Sequence, residues 1–267
     1  MLKDITIGQF FPGESVIHKL DPRVKIVLTF AFIVIIFFVK TYVGYGLIFA
    51  YIALAVRLSK VPMRYIVRGL KPLLFIIVLT FFINVFFTPG NKVLFRMWAF
   101  KFTQEGLNQG IFMTLRLVLL VVGTSLLTLT TSPISLTDGI ERLLQPLRVI
   151  KFPAHELAMM MTIALRFIPT LLEETDKIMK AQMARGADFE SGNLFQRAKA
   201  LVPLLVPLFI SAFRRADELA MAMESRCYRG GQNRTRMKIL KATKRDYVAV
   251  AVTVLLIAAI LLDSYVL

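Results

Sequence analysis

The sequence predicts an all-α multi-pass membrane protein, with about five transmembrane helices and three long cytoplasmic helices between spans four and five. Three observations predict it. Of 267 residues, 57% are hydrophobic and 19% charged, whereas soluble domains run near 45–50% apolar with about a quarter charged. The mean hydropathy is +0.67. The charges also cluster, leaving long uncharged apolar runs. The net charge of +16 would suggest nucleic acid in a soluble chain, but in a membrane protein it has a simpler source in topology. A single cysteine, Cys227, excludes an intramolecular disulfide and any multi-cysteine metal site. The first 25 residues hold no 7–15-residue apolar core, so a cleaved signal peptide is not expected.

A spanning helix needs about 20 mostly apolar residues, fewer where its ends snorkel. Four stretches in the N-terminal region 1–131 qualify, at about 26–39, 41–56, 72–88 and 109–131. Residues 132–245 form the cytoplasmic region, and 246–267 hold the C-terminal span. Only Lys40 separates the first two stretches. Joined, they would make a helix of about 46 Å at 1.5 Å per residue, too long without strong tilt. A tight helical hairpin turning at Lys40–Gly46 is therefore expected.

The basic residues orient this arrangement. The segment between spans two and three carries Arg57, Lys60, Arg64, Arg68 and Lys71 and no acid, and nineteen Lys and Arg lie between Pro133 and Arg245. The opposite side holds only Lys40, Lys92, Arg96 and Lys101. Short basic loops mark the inner face, so the N-terminus is expected inside and the C-terminus outside. Arg116 is the one charge well inside a span. Intramembrane charges are functional candidates, but an arginine two turns from the outer end can also snorkel to the headgroups.

Residues 132–245 do not read as spans, yet they are strongly helical. Ser132-Pro133-Ile134-Ser135 opens a helix, with Pro133 suited to its first position and Ser135-x-x-Asp138 resembling a capping box. This helix ends near Pro146. A second runs from about Ala154 to Arg185, with apolar positions repeating at seven, and Gly186 stops it. A third runs from about Leu194 to Arg226. The second and third resemble copies at an offset of 41: Ile168–Gly186 aligns without gaps on Phe209–Cys227, matching Asp176 with Asp217 and Arg185 with Arg226. Each thus ends in a small-Arg-small triplet, Ala184-Arg185-Gly186 and Ser225-Arg226-Cys227. An arginine near a helix C-terminus complements the dipole, worth under about 1 kcal/mol. That accounts for one such residue, whereas a matched pair flanked by small residues points to docking in a partner's pockets.

Methionines crowd these helices, among them Met159, Met160, Met161, Met179 and Met183, and Pro169, Pro203 and Pro207 are expected to bend or interrupt them. Methionine packs adaptably, in cores and on surfaces that accept several partners. The stretch 200–213 is apolar all round. It suits the membrane interface or a subunit contact, and a fully spanning segment there is the competing reading.

The sequence contains no Gly-x-x-x-x-Gly-Lys-Ser/Thr loop and no Gly-x-Ser-x-Gly elbow. His155-Glu156-Leu157-Ala158-Met159 begins like a zinc-protease motif but has Met where the second His is required. The spans hold almost no carboxylates, which a proton-coupled carrier usually needs. Their sparse polar groups, Asn84, Thr114 and Thr124, also argue against a permease holding its own substrate.

Asp21-Pro22-Arg23 before the first span, and the two triplets closing long helices, resemble the transmembrane T component (EcfT, CbiQ-like) of energy-coupling factor transporters. The second triplet departs from the Ala-Arg-Gly form in both flanking residues, though Ser and Cys are still small. The resemblance covers nearly the whole chain. It implies a non-catalytic coupling subunit in the bacterial cytoplasmic membrane, with no cofactor of its own. Two cytosolic ATP-binding-cassette ATPases would bind ATP and Mg and receive Arg185 and Arg226. A separate membrane S component would bind a vitamin or metal ion and contact the coupling helices around Met160, Ile168, Pro203 and Pro207. A membrane scaffold recruiting unrelated cytosolic proteins is the rival from another class, and a conventional ABC permease is a second.

Overall fold

The computed structural model describes residues 10–89, 93–97, 100–189, 193–230 and 240–266. They form two compact units, one from Gly8–Ile140 with Ile239–Leu267 and one from Glu141–Lys238.

The first unit is a helical bundle. Its helices are α1 (Pro22–Phe38), α2 (Tyr42–Ser59), α3 (Met63–Leu70), α4 (Leu74–Phe87), α5 (Gln104–Thr130), the start of α6 (Pro133–Leu144), and α9 (Lys244–Val266). Phe32, Ile36, Tyr45, Ile48, Leu119 and Ile260 from α1, α2, α5 and α9 share one buried core. Large apolar side chains also point outward: Phe30, Phe49, Phe75, Phe87, Leu255 and Leu262 are exposed. That surface suits hydrocarbon, in which only structures that satisfy their own backbone hydrogen bonds can span. Among the described residues, six helices are long and apolar enough to cross a membrane: α2, the near-continuous Met63–Phe87, α5, α9, and also α7 and α8 of the second unit. At 17 residues, α1 is shorter than these.

Several local expectations change. The first hairpin turns within Val39–Thr41, not over Lys40–Gly46. Thr41 caps α2 by accepting a hydrogen bond from Gly44 N (3.0 Å), so Gly44 and Gly46 lie inside the helix. The third span begins earlier than 72. Pro72 produces one 3-10 turn, Lys71–Leu73, between α3 and α4 rather than a stop. Between α4 and α5 lies a two-stranded antiparallel hairpin, β1 (Val93–Met97) and β2 (Phe100–Thr103), which the sequence reading lacks. Lys92, one of the outer-side cations, falls outside the described residues. At α6 the cap is Ser132, whose hydroxyl accepts from Ser135 N (3.3 Å), and not Ser135.

Buried charges in this unit sit at helix ends. Asp21 caps α1, accepting from Arg23 N (2.9 Å) and from the Arg23 guanidinium (2.7 Å at the shortest). Burial pushes its carboxyl up, but the hydrogen bonds and charge of Arg23 outweigh this and leave it below the usual carboxylate range. Its backbone N–H donates to Asp246 Oδ1 (2.8 Å), while Asp246 Oδ2 accepts from Thr243 N (2.6 Å) at the start of α9. The two capping carboxylates thus clamp the first turns of α1 and α9 together, and Arg23 reaches Leu240 O (3.4 Å). Lys25 donates to the Thr130 carbonyl (2.8 Å) at the end of α5. Arg116 donates to the Val39 carbonyl (3.2 Å) past the end of α1 and to Tyr45 Oη (3.2 Å), with its guanidinium over the Phe37 ring. The intramembrane arginine therefore completes a helix end inside the bundle.

The second unit holds the end of α6, a 3-10 turn (Gln145–Ile150), α7 (Ala154–Ala184) and α8 (Leu194–Ser225). Both long helices run through their prolines without interruption, so of the two expected effects, bending or interruption, the second does not occur.

Candidate functional site: the paired ends of two long helices

The two triplets close their helices with the same backbone geometry. In α7, Arg185 is the C-cap and Gly186 turns left-handed at φ +89°. Gly186 N then donates to Met183 O (2.9 Å) and Ala187 N to Gln182 O (3.0 Å). In α8, Arg226 is the C-cap and Cys227 turns left-handed at φ +57°. Cys227 N donates to Glu224 O (2.8 Å) and Tyr228 N to Met223 O (3.0 Å). Both are Schellman motifs, in which two backbone N–H groups satisfy the last helical carbonyls.

The consequence for the arginines is direct. The backbone itself occupies two terminal carbonyls at each end, and among the described residues neither arginine side chain hydrogen-bonds a terminal carbonyl. Arg185 and Arg226 are both exposed. Among the described residues neither guanidinium has a hydrogen bond or ion pair, in contrast to Lys25 and Arg116. Ala184, Gly186, Ser225 and Cys227 are exposed beside them, so each arginine is flanked by small, exposed residues.

The repeat also sets how the helices pack. Glu174 and Arg215 are equivalent positions in the two copies, 41 residues apart, and they pair across the α7–α8 interface (3.0 Å). Ser211 donates to the other Glu174 oxygen. This hydroxyl, against partial burial and with help from Arg215 and Lys177, holds the Glu174 carboxyl below its ordinary range. Eight residues further along α7, Gln182 Nε2 donates to the carbonyl of Pro203 on α8 (3.3 Å). Contacts that advance along α7 retreat along α8, so the helices pass in opposite senses. Each arginine lies eleven residues beyond the 174–215 pair, which at 1.5 Å per residue separates the two by on the order of 30 Å.

Gln182 does a second job. The Pro203 carbonyl would normally accept from residue 207, but Pro207 has no N–H. The Gln182 amide supplies that donor, while the Gln182 backbone carbonyl accepts from Ala187 and Arg185. One residue therefore ties the end of α7 to the proline segment of α8.

The remaining expected residues lie apart from these ends. Asp21, Pro22 and Arg23 belong to the α1–α9 clamp in the other unit. Met160 and Pro203 are exposed, and Ile168 and Pro207 are partly so. The apolar stretch 200–213 presents Leu201, Val202, Val206, Phe209, Ile210 and Phe213 outward. Sequence reasoning missed Gln182, Glu174 and Arg215. The offset of 41 already aligned the last two, but an acid matched with a base does not look like a repeat. His155, which opens the broken protease motif, pairs instead with Glu141 (3.0 Å).

The fold is that of a multi-pass helical membrane protein, and its second unit is organised around a two-copy repeat with matched helix ends. A family model described as cobalt transport protein, CbiQ, matches residues 13–237. Curated relatives named energy-coupling factor transporter transmembrane protein EcfT match along nearly their full length. The one from Thermosediminibacter oceani is 61% identical over 99% of this chain and 100% of its own. That from Clostridium kluyveri is 62% identical over 93% of both chains, and that from Bacillus subtilis 50% over 97% of this chain and 98% of its own. The chain belongs to this family of transmembrane components of energy-coupling factor transporters.

The departure at Cys227 gives a test of the helix-end geometry. A left-handed non-glycine residue costs about 1 kcal/mol that glycine avoids. Cys227→Gly should therefore stabilise the purified chain by roughly 0.5–1 kcal/mol, whereas Gly186→Ala should destabilise it by a similar amount. Thermal unfolding in one detergent reads both shifts. Two shifts of the same sign would contradict the shared motif.

Proposed function

We propose that this chain couples two cytosolic ATP-binding-cassette ATPases to a substrate-binding membrane subunit that takes up a vitamin or metal ion. Arg185 and Arg226, with Ala184, Gly186, Ser225 and Cys227 around them, enter one groove on each ATPase. Nucleotide and Mg bind to those partners, and this chain performs no chemistry itself. Movement at the arginines passes along α7 and α8 to the surface holding Met160, Ile168, Pro203 and Pro207, where the substrate-binding subunit rests. Asp21, Pro22 and Arg23 hold the α1–α9 frame rather than a partner.

The observation that carries this reading is the pair of backbone-completed helix ends. A dipole-complementing role predicts arginines that hydrogen-bond terminal carbonyls. Here the backbone occupies the carbonyls of Gln182, Met183, Met223 and Glu224, both guanidinium groups are unpartnered among the described residues, and two like ends suit two like partners.

The N-terminus and both arginines lie on the cytoplasmic side, with the C-terminus outside. The basic segment 57–71 supports this through the positive-inside rule. Although α7 and α8 are long enough to span, Glu173, Asp176 and Lys180 on the one and Arg214, Asp217 and Glu218 on the other place charges in their middle and C-terminal turns, which favours a position outside the hydrocarbon.

Cys227, the sole cysteine, reports this orientation. An impermeant thiol reagent should leave it unlabelled in intact cells and label it in inside-out membrane vesicles stripped of the ATPases. A cysteine at the exposed Lys40 position, in a Cys227→Ser background, should react from outside. Labelling of Cys227 in intact cells would overturn the topology.

Arginine replacement tests the docking. Lysine cannot reproduce the planar, multiply hydrogen-bonded fork, so Arg→Lys should impair retention of the ATPases on the immobilised chain at either site. A charge pair broken in an interface typically costs about 2–5 kcal/mol, roughly 30- to several thousand-fold in affinity. Arg→Ala should lose about that much singly, and far more when both are changed, because two sites grip together. Full ATPase retention and intact transport in the double alanine variant would refute the proposal.

A further inference from the structure

The first unit contains a cavity of about 220 Å³ that the coupling function does not use. It lies between α1, α2, α5 and α9 at the end of the bundle where α1 and α9 begin and α2 and α5 finish. The segment Val16–Leu20 covers it. Its walls are almost wholly apolar, formed by residues such as Leu28, Phe32, Ala55, Leu126 and Ala249. Depth follows from the lining residues. They run from Lys25 to Phe32 on α1 and from Arg245 to Val252 on α9, seven helical steps each, or about 10 Å. Gly123 helps to shape the deep end, where a Cβ would stand 2.4 Å from the Phe32 ring.

The polar features gather at the shallow end. Lys25 is 6% exposed, and its Nζ donates to His18 O (3.3 Å), Thr130 O (2.8 Å) and Thr131 Oγ1 (3.2 Å). All three donors are spent on neutral oxygens, so its charge is not cancelled by a salt-bridged carboxylate. Asp246 acts on it only from beyond salt-bridge distance and is itself engaged by Asp21 N and Thr243. Arg245 lines the mouth, is exposed, and has no hydrogen-bond or ion-pair partner among the described residues. The cavity is thus an apolar slot about 10 Å deep with the buried Lys25 amine at its head and, beside it, the Arg245 guanidinium, unpartnered among the described residues.

Water is disfavoured, since a dry apolar cavity offers no hydrogen-bond partners over most of its wall. The headgroup-side part of an acyl chain suits it, being thin, flexible and wholly apolar. Leu54, Leu58, Val248 and Val252 line the slot and are themselves exposed on the outward surface, so hydrocarbon has access from the side. The charge at the head matches a phosphate rather than a zwitterionic or neutral group.

We propose that this slot binds one chain of an anionic phospholipid, with the lipid phosphate held by the Arg245 guanidinium and attracted by the buried Lys25 ammonium. Lys25 contributes charge and not hydrogen bonds, because its donors are spent. Arg245 contributes the directed fork. The slot opens at the end of the bundle that carries Arg57 and Lys60, which the positive-inside rule places at the inner leaflet, where anionic lipids concentrate.

Native mass spectrometry of the purified full chain tests this, using phosphatidylglycerol and phosphatidylcholine with identical acyl chains. The wild type should retain one phosphatidylglycerol under conditions that strip phosphatidylcholine. Arg245→Gln should lower that preference about tenfold, the loss expected for one charge-assisted contact, while some binding of both lipids persists. Ala249→Leu, which fills the slot, should lower retention of both lipids by about tenfold or more. Equal retention of the two lipids by the wild type, or an unchanged preference in Arg245→Gln, would overturn the proposal. So would an Ala249→Leu variant that keeps its lipid but loses a co-purifying membrane subunit, which would assign the slot to a protein side chain. Should Ala249→Leu fail to fold, Arg245→Gln still decides, because it alters an exposed side chain that makes no hydrogen bond or ion pair.

Discussion

The structure depends on how its helix ends are satisfied. A helix leaves four N–H groups and four carbonyls without internal partners at its ends, and hydrocarbon supplies none. In the bundle, side chains answer this need. Asp21 and Asp246 cap α1 and α9 and join them, Lys25 reaches the Thr130 carbonyl that ends α5, and Arg116 reaches the residue past the end of α1. These charges are consumed by structure. At the ends of α7 and α8 the backbone closes on itself instead, and the arginines are left over. The same constraint, met in two different ways, separates framework cations from cations available to a partner.

This difference makes the second unit suited to transmitting movement. The helices are linked by the Glu174–Arg215 pair, by Ser211, and by the amide of Gln182 on the Pro203 carbonyl. Gln182 belongs to the closing turn that positions Arg185, so a displacement of that arginine acts on the proline segment of α8 through one side chain. The copy at the end of α8 has Met223 at the equivalent position, which cannot donate such a hydrogen bond. The two ends are therefore alike where a partner would meet them and unlike where they connect to the rest of the unit.

Much of the architecture was legible in the sequence because it rests on local signals. Apolar runs located the long helices of the bundle, Gly186 located the end of α7, and the offset of 41 paired Arg185 with Arg226. The resemblance read from the Asp21-Pro22-Arg23 motif and the triplets agrees with the family shown by the relatives. Less legible were features that depend on partners far along the chain. Asp21 and Asp246 are 225 residues apart, and nothing near either announces the other. Pro203 and Pro207 look like helix breakers until Gln182, 21 residues away from the first, supplies the missing donor. The expected turn at Lys40–Gly46 runs too far along the chain, because the Thr41 cap starts α2 at Tyr42. Left-handed geometry at Cys227 has no sequence signal, since cysteine is not a residue that favours it.

The central claim is that nucleotide-driven movement enters this chain through the two arginines. Pulsed electron–electron spin resonance between labels at Lys180 on α7 and Met221 on α8, both exposed and near the arginine ends, measures it most directly in the assembled transporter. A Cys227→Ser background keeps the labelling specific. Adding a non-hydrolysable ATP analogue should shift the distance distribution in the otherwise unaltered chain and leave it unchanged when Arg185 and Arg226 are both alanine. An equal shift in the double alanine variant, or no shift in the unaltered chain, would contradict the account.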